Sequence, residues 1–193
     1  MALGPYLLGE RTSGVESMDY DGALILFRNN RYDTVLSLSR AGNLPLFWLA
    51  CWMAFLWGRR VLGEEGAVLT VFVFTMLPLV LAHAGLSTTD MGITAFLAAA
   101  LYSCLRCLEA PDWRRGLLFG AALAGMTLSE FSGLVYFPAA LLGCFLVWIW
   151  LERPGIRRAL SAVRSALLPL ALSIPVAFVL IWAGYRFSFG HAP

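Results

Sequence analysis

The sequence predicts an all-α fold, a polytopic transmembrane bundle of about six membrane helices. Three observations predict it. Sixty per cent of the 193 residues are hydrophobic, and the mean hydropathy is +0.75. Only 13% are charged, about half the ~25% of a typical soluble domain. The apolar residues fall in runs separated by short polar turns, and a membrane span needs roughly 20 such residues, with a range of about 17–25.

Residues 1–43 read as an extracytoplasmic loop segment. The first helix, 44–58, ends at Arg59-Arg60. The second, 66–86, is free of charge, and the third, 91–108, carries Arg106 near its end and is followed by Asp112, Arg114 and Arg115. From Gly116 to Leu151 the one charge is Glu130. That stretch is too long for one span and divides into helices 116–129 and 133–151, turning at "SEFSG". The segment "ERPGIRRALSAVR" is polar and basic, and the sixth helix, 166–185, is apolar again and interrupted by Pro175. Residues 187–193 begin another extracytoplasmic loop. Helices 44–58 and 116–129 are short, which tilted neighbours or a locally thinned bilayer accommodate. A re-entrant pair across 116–151 is the alternative.

Arginine placement sets the expected orientation. With the turns after the first, third and fifth helices in the cytoplasm, nine arginines lie inside and five outside, the bias that short cytoplasmic loops show. His83, Thr88, Thr89, Asp90, Glu130 and residues 1–43 then share the outer face, and the chain belongs in the cytoplasmic membrane of a bacterium. Residues 1–43 lack the order of a signal peptide, so their translocation calls for a preceding membrane helix. The expectation is an N-proximal piece of a longer protein.

Several chemistries are excluded. Every basic side chain is arginine, which removes Schiff-base lysines and P-loops. A net charge of +2 without a basic tract gives no sign of a nucleic-acid partner. Cys104 and Cys107 form a C-x-x-C, but no second pair follows, so packing in a helix outweighs a zinc or redox site. No metal ligand set and no cofactor can be read; a divalent metal stays an unsupported alternative.

The stretch "LAHAGLSTTD", Leu81 to Asp90, is the most informative. Charges at a membrane rim are candidates for function because burying them costs several kcal/mol unless something compensates. Asp90 is the candidate catalytic residue and His83 a weaker one. Arg40, Thr88, Thr89 and, more weakly, Glu130 are candidates for substrate binding. Each has a plainer reading. Asp90 and the threonines suit a helix N-terminus, His83 suits a helix C-terminus, Arg40 can snorkel to the interface, and Glu130 can be a loop carboxylate.

The order "LSLSRAGNLPLF … WGRRVLGEEGAV … LAHAGLSTTD … LSEFSG" resembles the GT-C class of membrane glycosyltransferases. The nearest group is that of the protein O-mannosyltransferases and aminoarabinose transferases. Its pattern maps onto Arg40, Arg59-Arg60 with Gly63 and Ala67, Pro78 with His83 and Gly85, and Thr88-Thr89-Asp90. The last element maps onto Gly120, Gly125, Ser129, Phe131, Ser132 and Pro138. Two departures stand out: Glu130 occupies a position that is usually lysine, and the family's acidic residue after its first helix has no counterpart here. The resemblance implies a sugar donor linked to polyprenyl phosphate, drawn from the lipid bilayer, and an acceptor on the extracytoplasmic face. It also implies a carboxylate that takes the acceptor's proton. The alternative is a non-catalytic helical membrane protein or truncated subunit packing against a membrane-protein partner through small residues, as in "FGAALAGM".

Overall fold

The computed structural model describes Phe27 and residues 32–86, 88–152 and 156–185. The expectations for the rest of 1–31, for Ser87 and Arg153, and for 186–193 lie outside the described residues. Among those described, seven helices follow in order: α1 Tyr32–Ala41, α2 Leu44–Met76, α3 Pro78–Gly85, α4 Asp90–Glu109, α5 Trp113–Ser129, α6 Gly133–Glu152 and α7 Ile156–Gly184.

Helix α2 is two arms joined at Gly63, whose φ of 80° and ψ of −171° break the helix. A Cβ on Gly58 would lie 3.0 Å from the Ala67 Cα and 2.6 Å from the Thr70 hydroxyl. A straight helix would separate residues 58 and 67 by about 13 Å, so the arms fold back on one another. The first arm runs on through Arg59 and Arg60 instead of stopping before them. Arginine is a good helix former, and its stem lies along apolar surface: the Arg59 guanidinium sits 5.8 Å over the Phe55 ring. The 66–86 run is divided in the opposite sense. Pro78 has no N–H and drives the preceding residue out of the helical region, and Leu77 is extended at φ −67°, ψ 122°. Gly63 itself has open space around its Cβ position, yet its backbone region is essentially restricted to glycine. Gly63→Ala is therefore expected to cost about 1–3 kcal/mol. Thermal unfolding in detergent checks this, and a variant as stable as the parent contradicts it.

Contacts between helices fix which ends lie together. Arg60 donates to both carboxylate oxygens of Glu109, one of them at 3.0 Å, tying the turn of α2 to the end of α4. Arg115 donates to the carbonyls of Arg106 and Ala110 at 3.0 and 2.6 Å, joining the start of α5 to the end of α4. Arg59, Arg60, Arg106, Arg114 and Arg115 thus gather at one end of the bundle. Helix α5 returns to the other end, where a Cβ on Gly92 would meet the Ser129 hydroxyl at 2.6 Å.

Helix α7 runs parallel to α5. Cβ atoms on Gly116 and Gly120 would fall 2.5 Å from the Pro169 carbonyl and 2.7 Å from that of Ser173, so the two backbones nearly touch. Beside them lies the core of Ala100, Cys104, Cys107, Phe119 and Ala122. Both thiols of the C-x-x-C are free and buried there, as packing groups. Hydroxyls along the helices bond within their own helix. Thr70, Thr94, Ser103, Thr127 and Ser129 each donate to the carbonyl four residues back.

Large apolar side chains face outward, among them Trp48, Leu79, Val135, Leu168 and Ile174, a surface that water penalises and lipid does not. By length and composition, three stretches of the described residues can cross a membrane: Tyr32–Met76, Asp90–Glu109 and Val163–Gly184. Gly133–Val147 is apolar but shorter. At 17 residues, α5 extends about 25 Å, less than the roughly 30 Å of a hydrocarbon core. The molecule is an all-α helical membrane bundle.

Candidate functional site

The end of the bundle opposite the arginines is organised around Asn43. This residue fills the turn between α1 and α2 and is fully buried. Its backbone carbonyl accepts from Leu46 and Phe47 at 3.1 and 3.0 Å, which starts α2. Its side-chain Nδ2 donates to the carbonyls of His83 at 2.8 Å and Leu86 at 2.9 Å. The start of α2 is thereby bound to the end of α3, where His83 occupies the last turn.

Asp90 opens α4, a position where the helix dipole favours a carboxylate. Its Oδ2 lies 3.1 Å from His83 Nδ1, with the two side chains 48% and 30% exposed. The distance is that of an ion pair, but Nδ1 is off the line needed for a hydrogen bond. The Thr88 hydroxyl also bears on the Asp90 carboxylate, again without a well-aligned bond. Asn43 Oδ1 and the Ser132 hydroxyl are buried without hydrogen-bond partners among the described residues. Polar atoms in need of partners thus collect at this end.

Thr89 is the N-cap of α4, and its hydroxyl makes no capping bond. A Ser/Thr cap that is lost typically costs ~1 kcal/mol. Thr89→Ala is therefore expected to leave the unfolding temperature unchanged, and a clear drop in a thermal scan contradicts this. The purely structural reading of the threonine is accordingly weak.

The structure brings His83, Thr88 and Asp90 together. It leaves Arg40 and Glu130 at the same end without direct contact to them. Arg40 stands in the last turn of α1, exposed, with its carbonyl accepting from the Asn43 N–H at 2.9 Å. Glu130 terminates α5 with extended backbone at φ −162°, ψ 131°, and its side chain is half-buried. Sequence reasoning missed Asn43. The signal was there: a carboxamide directly before "LP" at the head of an apolar run needs partners once buried.

No curated protein and no solved structure matches this chain. Residues 43–182, which run from Asn43 past Asp90 and Glu130 into α7, match the sequence pattern described as dolichyl-phosphate-mannose-protein mannosyltransferase. That match covers well over half of the sequence, leaves Arg40 outside it, and joins a helical membrane bundle to a polar, carboxylate-bearing end: the chain belongs to the dolichyl-phosphate-mannose-protein mannosyltransferase family.

Proposed function

We propose that this chain carries a glycosyl-transfer site at its Asp90 end. There it moves a sugar from a polyprenyl-phosphate donor to an acceptor on the extracytoplasmic face of a bacterial cytoplasmic membrane. The observation that carries the proposal is the Asp90 carboxylate 3.1 Å from the His83 imidazole, at the end of the bundle away from the arginine cluster. Family membership supports the donor class, and the arginine asymmetry supports the orientation.

The chemistry needs three things of the protein. The acceptor oxygen attacks the anomeric carbon while its proton passes to the Asp90 carboxylate. The bond from the anomeric carbon to the phosphate oxygen breaks, and its electron pair leaves on the polyprenyl phosphate. That anion needs a cation or dipole beside it, a role that the exposed Arg40 can take. Among the described residues, Arg40 has no carboxylate within ion-pair distance. Hydroxyls of Thr88 and Thr89 are suited to bonding sugar or phosphate oxygens. His83 orients the carboxylate and stabilises its charge. Glu130, which closes α5, adds a second carboxylate to the same end for binding substrate.

Purified protein in detergent or vesicles, given radiolabelled polyprenyl-phosphate mannose and membrane protein acceptors, is the test. Label transferred to the acceptor, and lost in Asp90→Asn, supports the reading. No transfer from folded protein to any acceptor tried counts against it.

A further inference from the structure

Asn43 has no exposed surface, and both bonds of its side-chain nitrogen go to one place. The His83 and Leu86 carbonyls only accept, so their positions fix which end of the carboxamide is nitrogen. Those two carbonyls belong to the last turn of α3 and the residue just beyond it, where a helix leaves backbone acceptors without intrahelical partners. Helix α3 is eight residues long, with extended backbone at Leu77 on one side and Leu86 on the other. A helix this short has little stability of its own. Its last turn is therefore held from outside, by a residue forty positions earlier in the chain.

The His83 carbonyl is one of the two atoms held, so the backbone from which the imidazole projects is fixed directly. That ring then faces the Asp90 carboxylate. We infer that Asn43 is a positioning residue for the His83–Asp90 pair: its carboxamide clamps the end of α3 and keeps the imidazole against the carboxylate. The consequence for turnover rests on the proposed transfer site, whereas the clamp itself rests on the geometry of Asn43, His83 and Leu86.

The chain has two histidines, His83 and His191, so ¹⁵N labelling of histidine alone gives a spectrum simple enough to assign with His191→Gln. In full-length detergent-solubilised protein, Asn43→Ala is expected to move the His83 ring-nitrogen resonances, as Asp90→Asn does, while far-UV circular dichroism keeps its helical signal. Where sugar transfer is measurable, Asn43→Ala lowers kcat by about 10- to 100-fold, the scale of a misplaced catalytic group, with donor KM unchanged. In a His83→Ala background the same substitution adds little.

Should Asn43→Ala fail to fold, Asn43→Gln keeps the carboxamide but displaces it by one methylene and makes the same comparison. Unmoved His83 resonances in either folded variant overturn the inference. Collapse of both variants also overturns it, because Asn43 is then a folding residue. Resonances that move in a protein transferring no sugar leave the clamp standing and remove the transfer reading, so the two failures are distinct.

Discussion

Asp90→Asn is expected to lower sugar transfer by about 10²–10⁴-fold, the range a positioned acid–base group contributes. The amide has the size of the carboxylate and stays at the head of α4, so the substitution removes two things and little else. It removes the proposed proton acceptor, and it removes the carboxylate charge 3.1 Å from the His83 ring. The effect on folding is small: the side chain is half exposed, and an exposed ion pair contributes about 0–1 kcal/mol. A large loss of transfer with an unchanged thermal transition is the signature of chemistry. Normal transfer from Asp90→Asn leaves the carboxylate as a helix-terminal charge and removes it from the site.

The largest expected effect on stability lies far from that site, where α5 meets α7. Any side chain at Gly116 runs into Pro169, whose carbonyl oxygen, Cα and carbonyl carbon all lie within 3.1 Å of the Cβ position. These are backbone atoms and cannot rotate away, so the helices must separate. Overpacking typically costs about 1–3 kcal/mol, and Gly116→Ala is expected in that range, with Gly116→Leu losing the cooperative transition altogether. Gly143, on α6, is the comparison. Its Cβ position has no atom within 4 Å, and Gly143→Ala leaves stability unchanged or slightly raised. Equal unfolding temperatures for Gly116→Ala and Gly143→Ala contradict the close approach of α5 and α7.

Much of the bundle is legible in the sequence because its causes are local. Apolar runs and the polar turns at 87–90 and 129–133 mark helices and their ends through side-chain chemistry alone. What local reasoning misplaces is where a helix stops. The arginines at 59 and 60 read as a boundary, but the boundary is the backbone of Gly63, four residues after Arg59, and the arginines are compatible with helix. Pro78 carries its own signal, overridden by the apolar run around it. The candidate site is legible in part for the same reason. His83 and Asp90 are conspicuous charges in an oily context, and the chain separation between them is short. Asn43 is inconspicuous, and its role depends on a contact forty residues away, which no local pattern encodes. The relation of Arg40 and Glu130 to the pair is equally a matter of packing: both stand at the same end as the pair, and no contact joins them to it.

The hydroxyls that bond within their own helices bear on where a polar ligand finds partners. Thr70, Ser103 and Thr127, along the shaft, each donate to a carbonyl four residues back, and the Trp57 ring N–H donates to the Ala98 carbonyl. The buried polar atoms still open, Asn43 Oδ1, Thr88 Oγ1 and Ser132 Oγ, all lie at the Asp90 end. Among the described residues, the polar atoms left to bind an incoming group are therefore concentrated at the Asp90 end, while the shaft spends its hydroxyls on its own backbone.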